Sequence, residues 1–399
     1  MDQAAVAEAA ARDAANRESI AEEIDLFNYD INLPLEHGYL GRLDHLHNGR
    51  IIFPDGAKLS LPLVYLSGVI LVPGQEIPFT FRHRALRHFF ERVVESETKT
   101  FGIGYDKFGT TAEVRNFSFV DGVANIFAEG RQRFRVTAKT QEQFEIFKAT
   151  VVILPEVNLR PYFAPVQALA ASGTGATALC GRRQLLAVNS LPELVHRQFD
   201  DQRLMAKLKA ALREIIEHAK TRDAAAAAAA VRFTYPEDPA AFSYFVLSCI
   251  PFSDGVKSQL LQVDCATTRL RLLNALLAVP FVVQCSHCST ALATRRDFLV
   301  MSRRGTGGTF VNPAGVVHEL FTFSRVSNVQ AVSEWSDAFS WFPNYGWIIT
   351  RCRSCMLHLG WKFVTKDAAI HPKSFWAVTR SVLLVCFDCS CAHLLSFLL

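Results

Sequence analysis

The chain has 399 residues, a length that favours two or three domains over a single hydrophobic core. Half of its residues are hydrophobic and one fifth are charged, which is ordinary for a globular protein with ample material to bury. The net charge of +4 is small for this length and is not concentrated in a basic block, so the composition argues against direct binding of nucleic acid.

Residues 1–58 are predicted to be a mostly disordered or locally helical tail, with a short ordered stretch at Tyr39-Leu40-Gly41 before the next domain. The start of the chain is rich in alanine and acidic side chains, and it lacks the basic and apolar regions of a secretion signal. Ten cysteines without an export signal favour a reducing compartment, in which thiols bind metal more often than they form disulfides. We therefore expect the protein in the cytoplasm and nucleus.

A β-rich domain is expected over residues 59–180. Its apolar opening predicts a strand that starts at Leu61, a turn, and a second strand before the turn signal Pro73-Gly74. A short amphipathic helix should follow over 84–94. Alternating strands are then predicted at 101–105, 110–119, 123–128 and 133–140. Asp121-Gly122 is typical of a tight hairpin turn between two of them.

The apolar period becomes helical over residues 181–280. One apolar stripe runs from Leu204 to Ile216 at helical spacing. Ser253 or Asp254 can cap a second, long helix whose apolar face extends to Leu277. The alanine run at 224–230 indicates a lengthened loop or helix end rather than a functional site.

Two Cys-x-x-Cys pairs, Cys285/Cys288 and Cys352/Cys355, mark a third domain over residues 281–383. A two-residue spacer lets both sulfurs of a pair face one ion, and Zn²⁺ prefers four thiolates in a tetrahedron. One structural zinc ion is therefore predicted; a disulfide pair and buried free thiols are the alternatives.

Three tryptophans follow or lie between these pairs. Trp341 and Trp347 belong to the run Ser340-Trp-Phe-Pro-Asn-Tyr-Gly-Trp347, and Trp361 follows the second pair. Brought together by the metal site, three indoles would form an apolar box for a small uncharged ring. Ordinary core packing is the other interpretation. Trp335 and Trp376 lie outside this pattern and are expected to be structural.

Residues 384–399 form an apolar, cysteine-rich tail of uncertain status. The segment is barely long enough to span a bilayer and contains Asp388, so no membrane anchor is expected. Its thiols Cys386, Cys389 and Cys391 are read as an unpaired exposed tail or, with His393, as a second metal cluster.

Short motifs along the chain resemble known domains. The opening of the β-domain resembles the amino-terminal substrate-binding domain of Lon proteases in Leu61-Pro-Leu63, Val72-Pro-Gly74 and Ile77-Pro-Phe79. Gly130–Phe134 and Ile153–Glu156 fit the same domain. The last domain resembles the thalidomide-binding (CULT) domain in its cysteine pairs, Val311-Asn-Pro313, His318-Glu319, Ser340-Trp-Phe-Pro343, Gly360-Trp-Lys-Phe363 and Phe375-Trp376.

This order of domains resembles the cereblon family over residues 39–383. The resemblance implies an α+β multidomain fold with a Lon N-terminal-like β-domain, a helical middle domain and a zinc-stabilised, all-β CULT domain. It also implies a non-catalytic substrate receptor of a cullin–RING ubiquitin ligase. The helical domain of that family docks on the damaged-DNA-binding adaptor. Its CULT domain binds cyclic imides, on drugs or at the carboxyl terminus of degron-bearing proteins, in a pocket of three tryptophans.

The resemblance assigns the ligand-binding residues as Trp341, Trp347, Trp361, Phe363, Phe339, Ser340, Asn312, Pro313 and His318. An imide offers one N–H donor between two carbonyl acceptors, so we assign the Phe339 carbonyl and the Trp341 amide as its backbone partners. For His318, a structural role is as well supported as a ligand contact.

Two departures from the family pattern stand out. Ala338-Phe339 replaces the usual acidic-histidine pair, which removes a side-chain hydrogen bond to the imide and predicts weaker or altered binding. The segment 303–308, where the family has a mobile flap, is unusually rich in glycine and arginine.

Three alternative functions can be compared with the sequence. A Lon-type protease is disfavoured because the sequence has no Walker A motif and no segment that resembles the ATPase or protease domains. A methionine sulfoxide reductase-like enzyme would need a reactive cysteine near the pocket, for which the tail thiols are the candidates. A zinc-containing ligand-binding module without ligase association is the third.

Overall fold

The computed structural model describes residues 27–46, 51–143, 146–157, 198–217 and 234–387. The predictions made for most of 181–200, for the alanine run and for Cys389, Cys391 and His393 lie outside these residues. None of the described helices is both long and apolar enough to cross a membrane.

The N-terminal segment, residues 27–46, is more ordered than the predicted tail. It contains two 3₁₀ helices, Leu33–Glu36 and Gly38–Leu40, and a short strand, β1 (Asp44–His45). Tyr29 and Ile31 are buried in the core of the last domain. The segment is ordered because its apolar side chains fill the surfaces of both β-domains.

The first domain is a seven-stranded sheet with one helix. In addition to β1, its elements are β2 (Lys58–Tyr65), β3 (Glu76–Phe81), α1 (Arg84–Glu95), β4 (Thr100–Tyr105), β5 (Phe108–Val120), β6 (Val123–Gln143) and β7 (Ile146–Ile153). The strand order is β1-β5-β4-β2-β7-β6-β3, and β5 also pairs with β6. That extra pairing closes five strands into a barrel, and only β2 and β4 run parallel.

Two predictions for this domain were wrong. Residues 69–72 form no strand and are buried at 0–2% exposure. Val69 and Leu71 belong to the core of this domain, and Ile70 and Val72 belong to a core shared with the helices of the middle domain. The two strands predicted at 123–128 and 133–140 are one long strand, because register shifts let it bend while it continues to pair. The predicted hairpin turn is confirmed, with positive φ at both Asp121 and Gly122.

The middle domain is helical, as predicted. Its described helices are α2 (Asp201–Glu217), α3 (Pro239–Cys249), α4 (Asp254–Gln262) and α5 (Ala266–Leu277). The long helix expected after Ser253 is divided between α4 and α5. Backbone groups at the break bind Val157 instead, which donates to Asp264 and accepts from Ala266. Local apolar spacing contains no signal for that distant partner.

The last domain has two antiparallel sheets. The larger contains β10 (Gly307–Val311), β11 (Val317–Phe323), β12 (Val329–Ala331), β13 (Gly346–Cys352), β14 (His358–Val364) and β15 (Ser374–Thr379). The smaller contains β8 (Phe281–Cys285), β9 (Ala291–Thr294) and β16 (Leu383–Phe387). Strand β16 pairs with β8, so the folded domain runs past the expected boundary at residue 383 and includes Cys386.

A buried ionic cluster joins the three domains. The carboxylate of Glu319 in β11 is 2% exposed and accepts hydrogen bonds from Lys257 in α4 and from Arg380 Nε, the latter at 2.7 Å. Arg380 also pairs with Asp254 and donates to the Gly68 carbonyl of the first domain at 2.8 Å.

His37 is a buried titratable group in the N-terminal segment, with 4% exposure. Its ring packs against Phe127 of the first domain and Phe310 of the last, at centroid distances of 5.1 and 5.7 Å. Its Nδ1 atom lies 2.8 Å from the hydroxyl of Tyr39. Burial lowers the pKa of His37 to about 4, so the imidazole is neutral near pH 7.

We expect His37→Asn to make folding less sensitive to acid. Because burial lowers the folded pKa below the ordinary 6.5, the unfolded chain takes up a proton first as the pH falls. Stability present above pH 6.5 is therefore lost towards pH 4, and the loss at pH 5 is about 2 kcal/mol. Asparagine tolerates the positive φ of 45° here and keeps an acceptor for Tyr39.

Denaturant unfolding at about pH 7.5 and pH 5 measures this difference. Between these two pH values, the free energy of unfolding of the natural protein should fall by about 2 kcal/mol more than that of the variant. An equal acid-dependent loss in both proteins would show that His37 is not the responsible group.

Candidate functional site

Two equivalent turns bring four cysteines together. The β8–β9 turn carries Cys285 and Cys288, and the β13–β14 turn carries Cys352 and Cys355. In each turn the amide four residues after the first cysteine donates to its carbonyl at 2.9 Å. The residue after each pair has a positive φ, of 58° and 61°. The shared geometry directs both sulfurs of each pair towards the opposite turn.

The four sulfur atoms lie within 4.8 Å of one another and fit one zinc ion. Cys285 Sγ lies 3.7 Å from Cys355 Sγ, and Cys288 Sγ lies 3.6 Å from Cys352 Sγ. A tetrahedron with zinc–sulfur bonds of roughly 2.3 Å has edges of about 3.8 Å. Thr290 Oγ1, 3.2 Å from Cys288 Sγ, lowers the pKa of that thiol to about 6, which favours the thiolate that zinc binds.

The strand register places two of the predicted ligand-binding tryptophans on one face of the larger sheet. Trp347 of β13 is opposite Phe363 of β14, and Trp361 is opposite Ile349, so these side chains share a face. Phe363 is 1% exposed and stacks on Phe375 at 5.2 Å, so it belongs to the core beneath the indoles.

Trp341 approaches the same face from the loop between β12 and β13. Its ring meets Trp361 edge to face at 4.7 Å and lies 5.5 Å from the ring of His318. Its indole nitrogen donates to the Val311 carbonyl at 3.0 Å. Among the described residues, no ring contact joins Trp347 to these two indoles, although it lies on the same sheet face as Trp361. Trp341, Trp347 and Trp361 together are the tryptophan cluster.

Trp347 also holds the loop that carries Phe339. Its indole nitrogen donates to the Ala338 carbonyl at 2.8 Å, and its backbone exchanges two hydrogen bonds with Ser336. Phe339 has a φ of 53° and is 64% exposed, so its side chain lies at the surface. The loop is therefore fixed by the same residue that forms one wall of the cluster.

Two backbone groups beside Trp341 have no hydrogen-bond partner among the described residues. Within the described part of the chain, neither the Phe339 carbonyl oxygen nor the Trp341 amide nitrogen takes part in a hydrogen bond. Ser340, between them, donates its amide to Asp337 at 3.2 Å and its hydroxyl to Phe342 at 3.1 Å. One acceptor and one donor thus remain available next to the indoles.

Asn312 and Pro313 begin the hairpin between β10 and β11. The side-chain oxygen Oδ1 of Asn312 accepts from the amides of Ala314 and Val316 at 3.0 and 2.9 Å, while its Nδ2 lies 3.4 Å from His318 Nε2. Burial, aided by a nearby histidine, lowers the pKa of His318 to about 4, so this ring enters the cluster uncharged. Pro313 is exposed near the hairpin tip.

The region expected to be a free flap is packed against other domains. At Gly307 a Cβ atom would lie only 2.1 Å from the Ser248 carbonyl of α3. At Gly315, where φ is 86°, it would lie 2.6 Å from the Thr80 carbonyl of β3. Gly307 and Gly315 thus permit close approach between domains.

Two residues of the cluster were missed from sequence. Phe310 stacks on Trp341 at 5.6 Å, and His358 meets the edge of Trp361 at 5.0 Å. Neither belongs to a recognisable motif, and only the strand register brings them near the indoles. Trp335 and Trp376 lie outside the cluster: the first donates to a β14 carbonyl, and the second packs under Lys362.

We expect Cys352→Ser to abolish zinc binding and to unfold residues 281–387. The free energy of zinc binding, about 10–16 kcal/mol in zinc-finger peptides, contributes directly to folding. Zinc per chain and the near-ultraviolet circular dichroism of the tryptophans measure the two effects. Cys386 is an exposed thiol outside the four-cysteine zinc site, so Cys386→Ser is the matched control and should keep one zinc ion. Intact tryptophan packing in a zinc-free Cys352→Ser protein would contradict the assignment.

Two family models match adjacent parts of this chain. Residues 60–279 match the family model for the ATP-dependent protease La (LON) substrate-binding domain. Residues 281–388 match the model described as Yippee zinc-binding/DNA-binding/Mis18, centromere assembly. A structural match to the N-terminal domain of Mycobacterium avium complex Lon protease covers 55% of this chain and 98% of the Lon chain, with 17% identity and a TM-score of 0.33.

Full-length relatives carry the name protein cereblon. The Danio rerio protein is 30% identical over 397 residues, covering 91% of this chain and 89% of its own length. The Xenopus tropicalis protein is 29% identical over 396 residues, covering 91% of this chain and 86% of its own length. The resemblance, the fold class and the zinc prediction are confirmed, and the chain belongs to the cereblon family.

Proposed function

We propose that this protein is a non-catalytic substrate receptor of a cullin–RING ubiquitin ligase that recognises cyclic imides. The observation that carries the proposal is the open pair of backbone groups beside the tryptophan cluster. The Phe339 carbonyl and the Trp341 amide supply one acceptor and one donor next to flat apolar walls. An imide presents the complementary pattern, an N–H flanked by carbonyls, on a small uncharged ring.

The indoles supply shape and the backbone supplies polarity. Trp341 and Trp361 already meet edge to face, while Trp347 stands on the same sheet face. A glutarimide or aminosuccinimide ring between these walls would bury its carbon atoms, and its polar edge would meet the loop at Phe339. Neutral His318 adds no charge that an uncharged ring would have to desolvate.

Weak binding is expected of such a small ligand. A ring of roughly eight heavy atoms reaches micromolar affinity or weaker by the usual per-atom ceiling. Ala338-Phe339 offers no side-chain hydrogen bond to the second imide carbonyl, which lowers affinity further. Attachment of the ring to a protein chain would add contacts outside the cluster.

Family membership supports the ligase half of the proposal. The helical domain is the segment expected to dock on the damaged-DNA-binding adaptor, and the protein is expected in the cytoplasm and nucleus with that ligase. Among the described thiols, four lie in the zinc site, and burial raises the pKa of Cys249 to about 12, which makes it a poor nucleophile. Cys265 and the exposed Cys386 are the remaining described thiols.

We expect a simple glutarimide to bind the full chain saturably and Trp347→Ala to lower its affinity at least about tenfold. The substitution removes one wall and releases the Ala338 carbonyl. Tryptophan fluorescence or calorimetric titration gives the dissociation constant. Trp376→Ala is the matched control, since it also removes one indole but on the opposite face, and should bind as the natural protein does.

Equal affinity in the Trp347→Ala protein would place the ligand elsewhere. No binding by the folded, zinc-loaded natural protein would refute the cyclic-imide half of the proposal.

Adaptor docking is tested by co-purification of the full chain with the purified damaged-DNA-binding adaptor. We expect a stable complex, and the Trp347→Ala protein should form it equally well because the indoles lie outside the helical domain. Failure of both proteins to bind would favour the alternative of a zinc-containing ligand-binding module without ligase association.

A further inference from the structure

A groove of about 430 Å³ runs between the first and last domains. One wall is formed by Thr80, Arg82 and the β5–β6 turn at Val120, and the other by Asn312 and Phe339. The N-terminal segment forms its end. The groove is therefore built only where the two β-domains meet.

The groove lies next to the tryptophan cluster, because Asn312 and Phe339 line it. Asn312 lines the groove and also contacts His318, which packs on two of the indoles. Phe339 lines the groove with its exposed side chain, while its free backbone carbonyl lies beside Trp341. A ring bound at the cluster would thus have its point of attachment near the mouth of the groove.

The chemistry of the groove differs from that of the cluster. Its apolar surface includes two unusually exposed side chains, Val120 at 61% and Phe339 at 64%. Arg42 and Arg82 are exposed on its walls, and neither forms an ion pair with any described residue. Asp121 is the one acidic side chain of the lining. The groove therefore carries a net positive charge over an apolar base.

We propose that this groove receives the residues that precede a carboxy-terminal cyclic imide and that it favours an acidic side chain among them. The inference rests on the proposed function and specifies its substrate class. An extended segment advances roughly 3.3 Å per residue, so the first few residues before the ring lie within the groove. The guanidinium groups of Arg42 and Arg82, which pair with no described residue, complement a carboxylate, and Val120 and Phe339 cover the apolar part of the bound chain.

The test uses three short labelled peptides that end in an aminosuccinimide. The two residues before the ring are both glutamate in the first peptide, both alanine in the second and both lysine in the third. Fluorescence anisotropy with the full chain measures each affinity, and free glutarimide is titrated in parallel. We expect glutamate peptides to bind about three- to tenfold more tightly than lysine peptides, as partly exposed charge pairs allow. The preference should shrink at high salt.

Arg82→Glu should reverse this order while leaving the affinity for free glutarimide unchanged. Arg213→Glu, an exposed arginine on α2, reverses the same charge away from the groove and should retain the preference for glutamate. Unchanged binding of the free ring also shows that the Arg82→Glu protein is folded.

Each outcome separates the groove from the cluster. Equal binding of all three peptides, or an unchanged order in Arg82→Glu, overturns the groove while the ring titration still supports the proposed function. Equally tight binding of glutamate peptides without a ring would make the groove an independent docking site and overturn the inference. Absence of ring binding by the natural protein would refute the imide function and the inference together.

Discussion

The arrangement of the whole molecule depends on the buried carboxylate of Glu319. Burial alone would raise the pKa of this group, but Lys257 and Arg380 outweigh that effect and lower it, so the carboxylate is ionised. Lys257 is fully buried and Arg380 is 2% exposed. Loss of one member of such a cluster leaves an uncompensated charge and costs about 3–5 kcal/mol. Because Arg380 also binds Gly68 and Asp254, that cost opposes separation of any of the three domains.

The packing of Glu319 also affects the candidate site, because strand β11 carries both Glu319 and His318. Glu319 and His318 are adjacent in β11, so their side chains point to opposite faces of the sheet. Glu319 fixes the strand against the helical domain, and His318 is thereby held against Trp341 and Trp361. The hairpin before β11 touches the first domain at Gly315. The shape of the tryptophan cluster and of the groove beside it is thus coupled to the packing of the domains.

Features whose determinants are local in the sequence could be predicted from it, and features that depend on distant residues could not. The cysteine spacing predicted the zinc cluster because each turn positions its own two sulfurs, and the apolar stripe predicted α2. The division between α4 and α5 escaped detection because the competing partner, Val157, is about a hundred residues away. Residues 69–72 have a strand-like composition, yet they fill a core and pair with nothing in the described sheet. Packing of the N-terminal segment likewise depends on surfaces that exist only after both β-domains fold.

Under the proposed function, the Ala338-Phe339 sequence would keep the ligand class of the site and change its selectivity. The proposed partners of the ring, the Phe339 carbonyl and the Trp341 amide, are backbone groups, so they do not depend on the polarity of side chains 338 and 339. The loop itself is held from outside, by the hydrogen bond from Trp347 to the Ala338 carbonyl. With the positive φ of Phe339, its aromatic side chain lies at the surface and lines the groove instead of the cluster. Within the proposed function, the absence of a polar side chain at 338 and 339 thus coincides with apolar surface for the chain attached to the ring, and selectivity would move from the ring to the residues beside it.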